Sequence, residues 1–150
     1  MTTALRSCAL LLLTVGVLGA CQPSSPPAGE NSATAVDSAA ADRAAVVAQA
    51  DRFYAHVDAN TVPEYWPELS PWITSQVSLE DFEFGTQSLW RYLGDLQERQ
   101  LISAERSGDQ YFVRYQTRYE HGSAIEQVSL RLEEGVWRID STANSNINRD

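Results

Sequence analysis

The chain has no lysine. All eleven basic residues are arginine, they face twenty acidic residues, and the formal net charge is −9 over 150 residues. A chain this acidic, with no basic run, repels phosphate, which argues against nucleic acid as a partner. Cysteine and histidine are also scarce: Cys8, Cys21, His56 and His121 are all there are. Two cysteines make no disulfide framework, and this set makes no Cys/His zinc site, so neither a metal nor a cofactor is expected. No phosphate-binding Gly-rich loop and no dinucleotide fingerprint is present. Neither histidine has a serine or carboxylate at triad spacing, so hydrolase chemistry finds no support and no catalytic residue is assigned. His56 falls off the apolar stripe of its helix, and His121 reads as a turn residue.

Long hydrophobic runs are missing as well, with one exception. Residues 8–20 are almost unbroken apolar sequence, short of the about 20 residues a membrane-spanning helix needs. With Arg6 ahead of it and small residues at its end, the run reads as an export signal. It stops at Leu18-Gly19-Ala20-Cys21. That tetrapeptide resembles the lipobox of bacterial lipoproteins. The resemblance implies cleavage before Cys21 and a thioether link from Cys21 to diacylglycerol. A lipoprotein cysteine carries two or three acyl chains, and two chains already anchor stably at about 0.8 kcal/mol per buried methylene. Gln22, where an Asp would favour retention at the inner membrane, favours the outer one. Residues 22–35, "QPSSPPAGENSATA", have little to bury and read as a disordered tether spanning roughly 20 Å. The chain thus divides into a signal (1–20), a lipidated Cys21 with its tether (21–35), one domain (36–141) and a loose tail (142–150).

Within the domain the period is helical over 36–60, where Val46, Val47, Ala50, Phe53, Tyr54 and Val57 form one stripe. Pro63, Pro67 and Pro71 then forbid a long helix but allow short turns, with Ser70 placed to cap the last. Ser78-Leu79-Glu80-Asp81 has the form of a capping box, and helical spacing runs from Leu79 to Leu96 with Gly94 near its end. After Gln100 the period falls to two. "LISAERS" reads as a strand. In "QYFVRYQTRYE", Tyr111, Val113, Tyr115, Thr117 and Tyr119 share a face. Val128, Leu130 and Leu132 form a third strand face, and Trp137 with Ile139 a fourth. Gly108-Asp109, His121-Gly122 and Glu134-Gly135 mark the turns. Helices followed by a half-apolar meander predict an α+β domain with its helices on one sheet face.

This order resembles the nuclear transport factor 2-like fold, a curved antiparallel sheet wrapped around a first helix. It is closer still to a family of small bacterial envelope proteins known as domain of unknown function 4019. Asp58-Ala59, Trp66, Pro71, the helix led by Ser78, Leu93-Gly94 and the closing "AIEQVSLRLEEGVWRID" carry that likeness. The resemblance implies a fold and an envelope location, and no reaction. Enzymes of the wider fold place an acid–base pair inside the cone. By that analogy Tyr54, Asp58 and Glu126 are the candidates here, with Glu126 leaning to the covered side by strand parity, either as such a group or as a carboxylate at the open end of the cone paired with an arginine.

Two further features invite a ligand. Tyr65, Trp66 and Trp72 cluster in the proline-rich segment, either as the mouth of a pocket or as core filling. Arg114, Arg118, Arg131 and Arg138 share the outward strand parity, either as a stripe for an anionic lipid or acidic partner or as a solvated face with cross-strand pairs. The function expected is a lipid-anchored envelope protein carrying a non-catalytic module that binds a partner protein or ligand near the membrane. The alternative is a small-molecule carrier or isomerase-like enzyme working inside the cone.

Overall fold

The structure, a computed structural model, describes residues 30–150, with side chains from Asp37 onward. The signal, Cys21 and the first part of the tether lie outside the described residues. Helix α1 (Glu30–Asp58) is followed by α2 (Val62–Tyr65), a 3-10 turn (Trp66–Glu68), α3 (Pro71–Gln76), α4 (Leu79–Thr86) and α5 (Ser88–Leu93). Four strands complete the chain: β1 (Leu96–Ser107), β2 (Gln110–Tyr119), β3 (Gly122–Glu133) and β4 (Val136–Arg149). They form one antiparallel sheet in the order β1-β2-β3-β4, and the class is α+β.

The α1 stripe behaves as its spacing predicts. Val46, Ala50, Phe53, Tyr54 and Val57 are buried, Val47 half-buried. They pack on the inner sheet face, on Tyr111, Val113, Tyr115, Val128, Leu130, Trp137 and Ile139. The helix ends at Asn60, whose φ of 57° is the left-handed cap that asparagine tolerates. Ser70 caps α3 by accepting from the Trp72 amide, with Pro71 in its first turn. Ser78 caps α4 by accepting from the Asp81 amide. At the last hairpin, Glu134 and Gly135 have φ of 51° and 81°, the pair of positive values a type I′ turn demands.

Four boundaries and one burial differ from the sequence expectation. Helix α1 begins at Glu30, inside the stretch read as tether. The helix expected from Leu79 to Leu96 divides at Gln87. Gly85 weakens it, and its two halves serve different clusters: Phe82 packs with Phe53, whereas Leu89 and Leu93 pack with Tyr119 and Ala124. Strand β1 starts at Leu96, not Leu101, because Leu93 and Leu96 fit helical spacing as well as a strand. Leu132 is 46% exposed, although it shares parity with fully buried Leu130 and lies opposite buried Trp137. Finally, residues 142–149 are not a loose tail. They extend β4 and pair with β3 as far as Gly122↔Arg149. A polar sequence on a two-sided exposed strand shows no alternation, so it carries no strand signal. Gly122 permits that closure: a Cβ there would collide with the Asn148 carbonyl oxygen.

The far edge of β4 is partly covered. The Ser70 amide donates to the Ile139 carbonyl at 2.9 Å, laying the proline-rich segment along the edge. The two leucines of β3 offer a direct test of burial. Leu130→Ala is expected to cost roughly 2–5 kcal/mol, and Leu132→Ala no more than about 0.5 kcal/mol, by denaturant unfolding of both variants.

Candidate functional site

The interior is polar around Glu126 and Tyr54, two of the residues that the fold analogy singles out. Glu126 on β3 is 4% exposed and Tyr54 on α1 is 6% exposed. Tyr119 donates its hydroxyl to Glu126 Oε1 at 2.5 Å. The other carboxylate oxygen lies 3.5 Å from Nη2 of Arg99 on β1. The Arg99 Nη1 donates to Asp58 Oδ2 at 2.6 Å, and its guanidinium carbon sits 4.1 Å from the centre of the Tyr54 ring. Tyr115 packs edge-on against Tyr54, centroids 5.2 Å apart, and donates to Asp51 Oδ1 at 2.7 Å. One cation therefore serves two carboxylates on different elements and stacks on an aromatic ring between them.

The electrostatics follow from burial. The phenols of Tyr54, Tyr115 and Tyr119 are held above the usual tyrosine value, first by burial and then by nearby carboxylates, Glu126 for Tyr54 and Tyr119 and Asp51 for Tyr115. Tyr65 is pushed up to about 12, again mainly by burial. Burial works against the charge on Arg99, but the Asp58 hydrogen bond and the Glu126 charge outweigh it, so its pKa is raised.

Little space remains inside. The crevice touching Glu126, between Phe53, Gly85 and Asn144, holds about 20 Å³, enough for one water. A shallow hollow of about 220 Å³ opens outside it, over Asp51, Tyr54, Asp58, Arg99 and Tyr115. Glu126 is thus locked as a doubly engaged acceptor, with no room beside it for a substrate. Among the described residues no His, Cys, Asp and Glu side chains group as metal ligands.

The aromatic trio of the proline segment does not form one mouth. Tyr65 is core, its hydroxyl 3.4 Å from the Gln49 carbonyl oxygen. Half-buried Trp66 packs on Phe82 and borders an open surface hollow of about 590 Å³ with Pro67, Pro71, Glu133 and Arg138. Trp72, 61% exposed, borders a different one. His56 is half-buried, its Nδ1 2.9 Å from Thr61 Oγ1 at the end of α1.

The four arginines on the outward parity are largely engaged. Arg114 donates to Gln127 at 2.7 Å, and Arg118 pairs with Glu98 at 3.3 Å. Arg131 pairs with Asp140 and Asp109 at 3.2 and 3.6 Å. Arg138 reaches Glu133 at 4.0 Å and the Glu68 carbonyl at 3.2 Å. The Arg131–Asp140 pair is one such cross-strand pair, from β3 to β4; Glu120 faces His121.

Sequence reasoning misses Arg99 and Asp51. Arg99 precedes the residue where the change of period places the first strand. Its inward position appears only once β1 is registered on β2, opposite Thr117. Asp51 sits between stripe positions on α1, and nothing local marks it as the partner of a tyrosine 64 residues away.

Two outcomes test the network. Arg99→Met leaves Glu126 buried without its cation, so a loss of roughly 3–5 kcal/mol is expected. Adding Glu126→Gln should restore about 1–3 kcal/mol of it in a double-mutant cycle. The tyrosines predict a pH limit. Below pH 10 they are protonated in folded and unfolded chains alike and add no pH dependence. Above it the unfolded chain sheds protons that the folded chain keeps. Each of the four then removes about 1.4 kcal/mol of stability per pH unit until its own folded pKa is reached. An unfolding midpoint that stays flat from pH 10 to about 11.5 would show the hydroxyls to be solvated.

No curated protein and no solved structure matched the chain. A family model does, over residues 49–141, a span that holds every residue of the interior network from Asp51 to Glu126 and most of the sheet. On that match the chain belongs to the family described as Protein of unknown function (DUF4019).

Proposed function

We propose that this protein is a bacterial envelope lipoprotein. Cys21 is the lipidated residue, a tether follows it, and the folded domain is a non-catalytic interaction module held near the membrane. The domain is read as a nuclear transport factor 2-like cone, since a first helix lies on the tyrosine-rich face of a four-stranded meander. One observation carries the anchor: the apolar run ends in small residues directly at Cys21, and Pro/Ser-rich sequence begins at the next position. With two or three acyl chains on one residue the protein stays on its membrane. Gln22 in place of Asp directs it to the outer membrane.

The closed interior supports binding over catalysis. Glu126, Tyr115 and Tyr119 are engaged by one another, Arg99 and Asp51, and the crevice beside Glu126 holds only about 20 Å³. An acid–base enzyme needs its carboxylate within reach of a bound substrate, and here that carboxylate is occupied on both oxygens. Partners are then met on outer surfaces: an envelope protein or an anionic headgroup.

The test is the mass of the mature N-terminus from a bacterial host. Cys21 is expected to carry diacylglycerol as residue one, and Cys21→Ser is expected to move the protein from the membrane to the soluble fraction. A free thiol at Cys21, or cleavage elsewhere, removes the anchor from this reading.

A further inference from the structure

Strand β4 carries a bulge on its sheet partner: Ser129 pairs with Ser141 and Leu130 with Ile139, so Asp140 is the extra residue. A bulge re-aims its side chain. Asp140 is 6% exposed. Its Oδ2 accepts from Gln110 Nε2 at 2.7 Å and from Arg131 Nε at 3.2 Å. Its Oδ1 is buried and has no hydrogen-bond partner among the described residues. An unmatched buried carboxylate oxygen is costly and calls for a partner.

Asp140 also borders a hollow of about 220 Å³ on the outer sheet face, with Trp72, Phe112, Gln110, Arg131 and Ser129. Trp72 comes from α3, beyond the β4 edge, and is the more exposed of its two aromatic walls. The Ser129 and Ser141 hydroxyls touch each other on the hollow's floor. Thus an exposed indole, a carboxylate, a guanidinium and hydroxyls converge on one shallow site.

We propose that this hollow binds a neutral sugar ring. Such a ring offers a C–H face to lie on the electron-rich indole and hydroxyls that both donate and accept. One hydroxyl donates to Asp140 and another accepts from Arg131 or Gln110. A ligand of either full charge meets one like-charged side chain here, because Asp140 and Arg131 sit together. A neutral polyhydroxyl ring meets none. The proposal is independent of the lipid anchor and of the closed interior.

The experiment uses the full-length protein in a detergent without a sugar headgroup. The heat of binding is followed by calorimetric titration with neutral trisaccharides of glucose, galactose and N-acetylglucosamine, with choline and inorganic phosphate in parallel. At least one trisaccharide is expected to saturate with a Kd of about 1 mM, weakened about tenfold or more by Trp72→Ala and by Asp140→Asn. Because Trp72 is mostly exposed, Trp72→Ala should keep its unfolding midpoint, which separates lost binding from lost fold. The proposal is overturned if no trisaccharide saturates, if Trp72→Ala binds like the parent, or if choline or phosphate saturates instead.

Discussion

Arg99 is the residue on which the interior depends. Its guanidinium reaches Asp58 on α1 and Glu126 on β3 from β1, and it covers the Tyr54 ring on the way. Burying a carboxylate as deeply as Glu126 costs several kcal/mol unless a charge and hydrogen bonds offset it. Arg99 supplies the charge and Tyr119 the hydrogen bond. The first helix is therefore tied to the sheet by apolar packing along the stripe and by polar bonds from Asp42, Asp51 and Asp58 to Arg106, Tyr115 and Arg99.

That tie also fixes register. The β1–β2 pairing is irregular on both sides of Arg99, between Leu96 and Glu98 and again between Leu101 and Ser103. Side chains alternate along a strand, so a slip of one residue would turn Arg99 outward and leave Glu126 uncompensated. The two bulges hold Arg99 opposite Thr117, on the inner face. The same geometry explains why tyrosine, and not leucine or valine throughout, lines that face. Tyr54, Tyr115 and Tyr119 fill volume as aromatics and still provide hydroxyls or ring faces for the charged groups among them.

The residues that alternate or repeat are legible in the sequence. The α1 stripe, the caps Ser70 and Ser78, the inward parity of β2 and the Glu134-Gly135 hairpin follow from spacing alone. The inward lean of Glu126 was readable from strand parity too. What escapes is whatever depends on pairing between distant strands. Arg99 needs the register of β1. Asp140 needs a bulge that its own neighbours do not announce. The end of β4 needs a partner strand, because "STANSNINR" has neither alternation nor β-branched density. Of the aromatic trio, proximity in sequence says nothing about shared surroundings: Tyr65, Trp66 and Trp72 end in the core, on a hollow and on the opposite sheet face.

The prolines connect those three fates. A continuous helix from Val62 would keep Trp66 and Trp72 on one rod and one layer. Pro63, Pro67 and Pro71 each forgo an amide that a helix interior would need, so the chain advances in single turns. The extended step at Leu69 and Ser70 brings the Ser70 amide onto the β4 edge, and Ser70 then starts α3 on the far side of it. That passage protects a strand edge and, by the same stroke, delivers an indole to the outer face of the sheet. With the inner face closed around Arg99, the outer face is where this domain has side chains left to offer.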